Sequence, residues 1–406
     1  MRIRRFVGEL CIFKHRASAT KNEHKAAEHI HQIMRSIGLV SKIEAFKSQQ
    51  RMTWELITIM GFFILEVVLY FYLPWLAVIA GAMGLILFWG YFTTAFKPLA
   101  KLFRFSTSHN VVGKLINSNA PYKVIFTAHY DTARSGPLWN PKTVANFRLN
   151  FLVGVWILVA LQFLTILNLF SINPLVLRLL VAIGGLYVLG NIAVLLYSGL
   201  RGELVQGASD NATGVAAMLD IAARLKDLAM PGIEFWFVAT GSEEVGAIGM
   251  AEFLKMHAED LDKQTTYFIN LDNIGSGQLH YFTGEGMLNF YRFSDDLIFV
   301  AEKSALDSTF RGIIPAKYRL AYTDAIVPAR RGYHAMLLLS LDERGLIPNW
   351  HWPSDTIENV NFSLPELASD FVLEMVHNLD EILKRRLERR KKEISQFQEE
   401  LGESIL

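Results

Sequence analysis

Four long apolar runs, arranged in two pairs, restrict what this chain can fold into more than any other feature of its sequence. They are Leu56–Leu73, Trp75–Phe96, Leu149–Phe170 and Leu175–Leu200. Within them the charged residues are Glu66 and Arg178. A bilayer is crossed by about 20 consecutive apolar residues, so each run is long enough to span it, the first of them barely. We therefore expect two transmembrane helical hairpins, at residues 54–97 and 149–200.

The charges beside these runs predict which side of the membrane the rest of the chain occupies. Two hairpins place all other segments on one side, and the turns at Pro74 and at Ser171–Pro174 carry no charge. Basic residues lie near the opposite ends of the runs: Lys47, Arg51, Lys97, Lys101, Arg104, Lys142, Arg148 and Arg201. Such residues are retained in the cytoplasm. The prediction is a multi-pass protein of the cell membrane with a cytoplasmic soluble part.

The remaining sequence alternates strand-like and helix-like segments, which is typical of a doubly wound α/β fold with a mixed sheet. The predicted strands are Val40–Phe46, Asn110–Ile116, Lys123–Thr127, Ile233–Ala239, Tyr267–Leu271 and Ala335–Leu341. Helical periodicity occupies residues 19–37, the stretch after Gly214 and residues 365–401. We expect one soluble domain, formed by residues 19–50, 101–147 and 203–380. A basic C-terminal helix is expected over residues 381–406.

Composition excludes several classes of function. The 40 basic and 39 acidic residues leave a net charge of +1, which gives no indication of nucleic-acid binding. The lone cysteine, Cys11, excludes an intrachain disulfide and a cysteine-rich zinc site. The basic N-terminal stretch has short apolar runs interrupted by Glu9 and Lys14, so we do not interpret it as a signal peptide.

Possible metal ligands follow three successive predicted strands of the soluble part. The strands are followed by His129, with Asp131 close behind it, by the pair Glu243 and Glu244, and by Asp272. In open α/β sheets chemistry sits at the carboxyl ends of the strands. A metal can bind one carboxylate of an adjacent pair while the other acts as a general base. Each feature alone is also compatible with ordinary solvated loop residues.

Two further positions complete this set. Asp210 precedes a predicted amphipathic helix, where a helix cap is the simpler interpretation, and His351 lies in the loop after the last strand. If all five converge, two imidazoles and three carboxylates form a site without soft ligands. Such a site favours Zn²⁺, with Co²⁺ or Mn²⁺ as alternatives.

Taken together, the motifs resemble those of the M28 family of zinc aminopeptidases. The matching segments are His129–Asp131, Gly207–Gly214, Ser242–Gly246, Asn270–Asp272, and His351 with Ser354–Thr356. They extend over the soluble parts between about residues 20 and 380. The resemblance implies a peptide substrate and two zinc ions bridged by Asp210.

The resemblance also implies a role for each residue of the set. His129 and Asp272 would complete the ligands of one ion, and Glu244 and His351 those of the other. Glu243 would be the general base, and Asp131 would orient His129. The substrate-side segment resembles the family's pattern at Tyr322 and Asp324, but Ala325 replaces the usual histidine; Trp350 is a further candidate substrate contact.

The spacing departs from the family pattern. The family normally has about a dozen residues between the first histidine and the bridging aspartate, whereas here 210 − 129 = 81. The surplus is close to the length of the second apolar pair. We therefore expect two membrane hairpins inserted into loops of the domain, which surface loops tolerate when their ends stay close.

The sequence is also compatible with two other functions and with one form of assembly. A glutaminyl cyclase, an acyltransferase with one zinc ion, shares the fold and would share the tryptophan before His351. A non-catalytic membrane protein could have kept the fold. The C-terminal helix has Leu383, Leu387, Ile394, Phe397 and Leu401 at a four-three spacing that Arg390 interrupts, which allows a coiled-coil homodimer.

Overall fold

A mixed β-sheet organises the chain in this computed structural model, which describes residues 2–228 and 230–403 without the side chains of residues 394, 395 and 397–403. Within those ranges the sheet has nine strands. They are β1 (Val40–Ser48), β2 (Ser106–Leu115), β3 (Tyr122–His129), β4 (Ile233–Thr240), β5 (Thr266–Leu271), β6 (Gln278–Glu285), β7 (Tyr291–Arg292), β8 (Ile314–Tyr318) and β9 (His334–Leu341). All six strands predicted from the sequence are present.

The order of the strands is β1-β2-β4-β3-β5-β9-β6-β7, with β8 beside β6. The central strands β4, β3, β5 and β9 are parallel, and antiparallel pairs flank them on both sides. Burial on both faces explains why β3, β4, β5 and β9 read as almost continuous apolar runs. The predicted doubly wound mixed sheet is confirmed.

Twelve α-helices accompany the sheet in the described ranges. They are α1 (Arg2–Cys11), α2 (Lys21–Ile37), α3 (Thr53–Tyr70), α4 (Pro74–Phe92), α5 (Ala100–Phe103), α6 (Phe147–Leu169), α7 (Leu175–Arg201), α8 (Thr213–Leu225), α9 (Ile248–Met256), α10 (Asp295–Ser304), α11 (Ile326–Arg330) and α12 (Ser363–Glu403). Helix α8 leads from β3 to β4, and α9 leads from β4 back across β3 to β5. Because crossovers are right-handed, these two helices cover opposite faces of the sheet.

Four of these helices, α3, α4, α6 and α7, are long and apolar enough to cross a membrane, judged by length and composition. They form two hairpins, as predicted. Helix α3 packs against α4 and α7, and α6 packs against α4. Close approach is possible because glycines lie at the contacts: a Cβ at Gly81 would stand 2.3 Å from Cδ of Glu66. Large apolar side chains such as Trp156 and Leu186 remain exposed on the outside.

Both hairpins leave the sheet at the same edge. Strands β1 and β4 are each antiparallel to β2, so β1 runs parallel to β4 and ends at the edge where β3 and β4 end. The chain enters α3 from that end of β1, and it enters α6 from the loop after β3. The two insertions therefore meet above the carboxyl ends of the central strands.

The ends of the chain are joined to the sheet domain more closely than the predicted boundaries allow. Ile3, Phe6, Val7 and Leu10 of α1 are buried in the same core as the sheet, so the core includes residues before position 19. Helix α12 is continuous across residue 381, and Leu383 is buried in that core. Leu383 therefore has an intrachain role. Three further positions of the predicted dimer stripe, Ile394, Phe397 and Leu401, have side chains outside the described residues.

Candidate metal centre and active site

The five predicted metal ligands lie together at the edge of the sheet. Nε2 of His129 is 3.1 Å from Oδ1 of Asp210 and 3.4 Å from Oδ1 of Asp272. Nε2 of His351 is 3.3 Å from Oδ2 of Asp210 and 3.0 Å from Oε2 of Glu244. The two imidazoles thus face opposite oxygens of Asp210. The five residues therefore form two groups of three that share the carboxylate of Asp210. One group is His129, Asp210 and Asp272, and the other is His351, Asp210 and Glu244.

Strand β3 delivers His129 to the site. The ring is buried, and its Nδ1 lies 3.1 Å from the main-chain oxygen of Asp131, an acceptor that leaves Nε2 facing the two aspartates. The carboxylate of Asp131 is 3.7 Å from Nδ1 and accepts instead the main-chain N–H groups of Glu243 (2.9 Å) and Glu244 (3.2 Å). Asp131 therefore links the histidine of β3 to the acidic turn after β4.

The turn before α8 presents Asp210 through a cis peptide bond to Asn211. The buried carboxylate of Asp355 accepts the main-chain N–H groups of Ser209 (2.7 Å) and Asp210 (3.1 Å). Arg16, buried completely, donates to the main-chain oxygens of Tyr130 (2.6 Å) and Gly207 (2.8 Å). These bonds fix the position of Asp210 from both sides.

The turn after β4 carries the two adjacent glutamates. Ser242 has a positive φ of 57° and Gly246 one of 114°, so the chain turns sharply on both sides of Glu243 and Glu244. Both side chains line the adjacent cavity, and that of Glu244 also faces His351. Lys97, from the segment after the first hairpin, donates to the main-chain oxygen of Gly246 (2.8 Å). An inserted segment thus supports the acidic turn.

The charges of the site influence one another strongly. Burial raises the pKa of Glu243 well above its usual range and that of Glu244 to about 7. Burial alone would lower the pKa of His351, but Glu244 and Asp210 outweigh it and raise this pKa to about 10. Burial would raise the pKa of Asp210, yet the two histidines that face its carboxylate lower it below its usual range. The carboxylates therefore attract positive charge into the site.

The donor set fits a zinc centre on three observations. Oδ2 of Asp210 and Oε1 of Glu244 are buried without a hydrogen-bond partner among the described residues. His129, Asp210 and Glu244 each offer a ligand atom within 4.8 Å of the others. Donors about 2.0–2.1 Å from a tetrahedral Zn²⁺ lie about 3.3–3.4 Å from one another, close to the separations of 3.0–3.4 Å measured here.

The three predicted substrate contacts occupy different positions. Tyr322 and Trp350 line a cavity of about 500 Å³ beside the metal centre. Trp350 is also in contact with Trp139, whose ring centroid lies 4.3 Å from that of His351. In the described part of the chain the wall includes Thr323 but not Asp324, whose buried carboxylate accepts a hydrogen bond from Thr240. The position of Asp324 below the wall does not support direct contact with substrate.

The sequence alone does not reveal several residues that hold the site in position. Lys97 was assigned only to the membrane boundary, Arg16 was assigned no role, and Asp355 entered only as part of a motif. Charged side chains are almost never completely buried unless they are paired, and Arg16 is paired with main-chain oxygens of two loops. Burial, however, is not visible in the local sequence around Arg16, so no signal could have identified it.

Comparison with known proteins agrees with this geometry. The family model described as Peptidase family M28 matches residues 193–376. Aminopeptidase YwaD of Bacillus subtilis is 27% identical over 177 residues, which are 42% of this chain and 37% of that protein. The chain spans well under half the length of the curated relatives that it matches, 24% and 37%.

Solved structures share the fold. The zinc aminopeptidase BSAP of Bacillus subtilis has a TM-score of 0.56 at 15% identity, covering 93% of this chain and 94% of that one. The glutaminyl cyclase of Porphyromonas gingivalis has a TM-score of 0.53 at 12% identity, covering 94% and 97%. The family match over residues 193–376, the shared fold and the motifs at the sheet edge make this chain similar to the proteins of peptidase family M28.

Proposed function

We propose that this chain is a membrane-embedded zinc aminopeptidase that removes N-terminal residues from peptides. One observation carries the proposal: the two histidines face opposite oxygens of Asp210, each with a second carboxylate beside it. This is the arrangement expected of residues that hold two cations with a shared carboxylate. His129, Asp210 and Asp272 would hold one zinc ion, and His351, Asp210 and Glu244 the other.

Zinc bound by these residues would lower the pKa of a water molecule and polarise the carbonyl of the scissile amide. Glu243 would accept the proton of that water as its oxygen bonds to the carbonyl carbon. The C–N bond then breaks, and Glu243 returns the proton to the leaving amine. A general base must lie within reach of the proton that it accepts, and Glu243 lines the cavity beside the proposed zinc ligands. Asp131 would hold the main chain of Glu243 during both transfers.

The proposed location is the cell membrane, with the active site on the cytoplasmic side. The four apolar helices and their exposed apolar surfaces support membrane residence. The basic residues at the sheet-side ends of both hairpins support the orientation. Reporter fusions at the C-terminus and in the turn at residues 171–174 test it. A C-terminal reporter that is active only outside the cytoplasm would contradict the orientation.

Glutaminyl cyclisation is the second candidate. It is supported by the fold shared with the cyclase of Porphyromonas gingivalis and by Trp350 next to His351. One set of assays compares the candidates: release of the first residue from a leucyl peptide and formation of pyroglutamate from a glutaminyl peptide. We expect release of the first residue to dominate.

The direct test of the proposal is the metal content of purified protein together with peptide cleavage. We expect two zinc ions per chain, loss of cleavage on chelation and its return with added zinc. Purified protein that binds no divalent metal, or that binds zinc without cleaving any peptide, would contradict the assignment.

A further inference from the structure

The cavity beside the metal centre continues into the membrane helices. Its wall includes His129, Asp210 and Glu243 at one end. At the other end it is formed by parts of all four apolar helices, including Met60 of α3, Phe88 of α4, Leu158 of α6 and Val194 of α7. The space is therefore shared between the candidate active site and the inserted hairpins.

The cavity penetrates deeply into this bundle. On α3 its lining extends from Met52, beside the helix start, to Met60, and on α6 from Phe147 to Leu158. At about 1.5 Å per residue these spans correspond to about 12 and 16 Å along the helix axes. This is about half of the hydrocarbon thickness of a bilayer, which is about 30 Å. A volume of about 500 Å³ lies in the range of cavities that enclose whole ligands rather than single side chains.

The lining changes character along this path. Near the metal centre it includes ionisable groups, and within the four helices it is formed mainly by aliphatic and aromatic side chains, with Tyr91, Asn150, Tyr187 and Asn191 as polar exceptions. Thr143 and Asn150, which also line the space, are exposed at the start of α6. The cavity is thus accessible where the second hairpin enters the membrane. A ligand that fits must be polar at one end and apolar over the rest.

We propose that this cavity selects the substrate: a peptide whose residues after the scissile bond form a strongly apolar segment, taken up between the membrane helices. The proposal rests on the proposed aminopeptidase activity and deepens it. The scissile amide would lie at the metal centre beside Glu243, and the following apolar residues would extend along α3 and α6. Because the bundle residues belong to the insertions, this selection would be a property of the hairpins and not of the sheet domain.

The test compares two peptides of equal length on the detergent-solubilised full chain. Both begin with leucine; one continues with alternating leucine and isoleucine, the other with alternating glycine and serine. Each buried methylene is worth about 0.8 kcal/mol, or roughly fourfold, so two of them suffice for a tenfold preference. We expect kcat/KM for the apolar peptide to be at least about tenfold higher. Equal values for the two peptides would overturn the proposal.

Two glycine substitutions test the location of this preference. Gly154 lines the cavity, where a Cβ would stand 2.7 Å from the hydroxyl of Tyr187. Gly190 lies on the outer surface of α7, where a Cβ would meet no described atom within 4 Å. We expect Gly154→Leu to reduce the apolar preference to below about threefold and Gly190→Leu to leave it unchanged. An unchanged preference in folded Gly154→Leu would overturn the proposal.

A second pair protects the test against misfolding of a single variant. Met60→Trp fills the cavity from α3, and Met83→Trp places the same side chain on an exposed position of α4. Bound zinc reports on correct folding of each variant. We expect Met60→Trp to reduce the preference for the apolar peptide and Met83→Trp to leave it unchanged. The same preference in both variants would contradict the proposal that the cavity selects the substrate.

The outcomes separate this inference from the proposed function. Cleavage of neither peptide by zinc-loaded protein contradicts the aminopeptidase activity itself. Cleavage of both at equal rates contradicts only the cavity assignment. A leucyl dodecylamide supplies the remaining comparison, because a preference for this lipid-like amide without a preference for the apolar peptide would show that the occupant is not a peptide.

Discussion

The sheet edge and the bundle of four long apolar helices differ in how their polar groups are used. At the edge, buried polar groups are tied to one another: Asp355 holds the turn of Asp210, Asp131 holds the turn of the glutamates, and Arg16 joins two loops. In the bundle, polar contacts are sparse, as where Asn168 donates to the main-chain oxygen of Tyr70 (2.8 Å). The edge fixes atoms for chemistry, whereas the bundle encloses apolar space, and we expect it to tolerate substitution.

The largest effect is expected at Asp210, where the two parts of the metal centre meet. Asp210→Ala removes the carboxylate shared by both histidines, so each group of three proposed ligands keeps only two. We expect loss of bound zinc and loss of peptide cleavage by about 10³-fold or more. Metal analysis and cleavage assays on purified variant measure both. Two retained zinc ions would show that Asp210 does not bridge.

A smaller but clear effect is expected at Asp355, which has no direct contact with a proposed metal position. Asp355→Ala leaves two main-chain N–H groups without their acceptor, so the turn of Asp210 becomes mobile. Groups that support metal ligands typically contribute about 10–100-fold to metal affinity or activity. Zinc titration should show a loss in this range, while Asp370→Ala, a change in a surface ion pair, should show none. If Asp355→Ala bound zinc as tightly as the wild type, this carboxylate would not support the turn of Asp210.

A substitution of Lys97 tests whether the segment after the first hairpin supports the turn that carries Glu243. Lys97→Met removes the bond to the main-chain oxygen of Gly246, so the turn that carries Glu243 loses support. A bond from a charged donor is worth about 1.5–3 kcal/mol, and we expect kcat to fall about tenfold with bound zinc unchanged. Lys101→Met, an exposed change in the same segment, is the matched control. Equal kcat values in the two variants would exclude this role.

In the bundle, loss of a side-chain hydrogen bond should have little effect on stability or on cleavage. Asn168→Leu removes the bond to Tyr70, and interhelical hydrogen bonds in membranes contribute about 0.6 kcal/mol on average. The unfolding free energy in detergent should therefore change by less than about 1 kcal/mol, with cleavage rates within twofold of wild type. A large decrease in the unfolding free energy of this variant would contradict the expectation that the bundle tolerates substitution.

The smallest predicted effect concerns pH and lies away from the active site. Burial alone would lower the pKa of His257, but its hydrogen bonds to Glu44 and Asp260 outweigh this and raise it. Its stabilising contribution is therefore complete below about pH 6.5, the ordinary value, and is lost as the pH rises through the folded pKa. His257→Gln should reduce stability by less than about 1 kcal/mol in acid and by nothing at high pH. A constant difference across pH would contradict the assignment.

The sequence predicted local patterns well and long-range contacts poorly. The strands before His129, Glu243 and Asp272 were predictable because their apolar runs end abruptly, and the sheet then brings those ends together. Helix α1 was missed although Ile3, Phe6, Val7 and Leu10 follow helical spacing. The roles of Arg16 and Asp355 depend on contacts between loops separated by more than 100 residues, which no local pattern shows. The cavity likewise arises only when both hairpins meet.

The central claim is that two adjacent glutamates have different functions, and substituting each in turn tests it most directly. Both glutamates line the cavity; Glu244 faces His351 and is assigned to metal binding, whereas Glu243 is assigned to proton transfer. We predict that Glu243→Gln keeps two zinc ions and loses about 10²–10⁴-fold in kcat, and that Glu244→Gln loses zinc. A Glu243→Gln protein that retains more than about a tenth of wild-type activity would contradict the account.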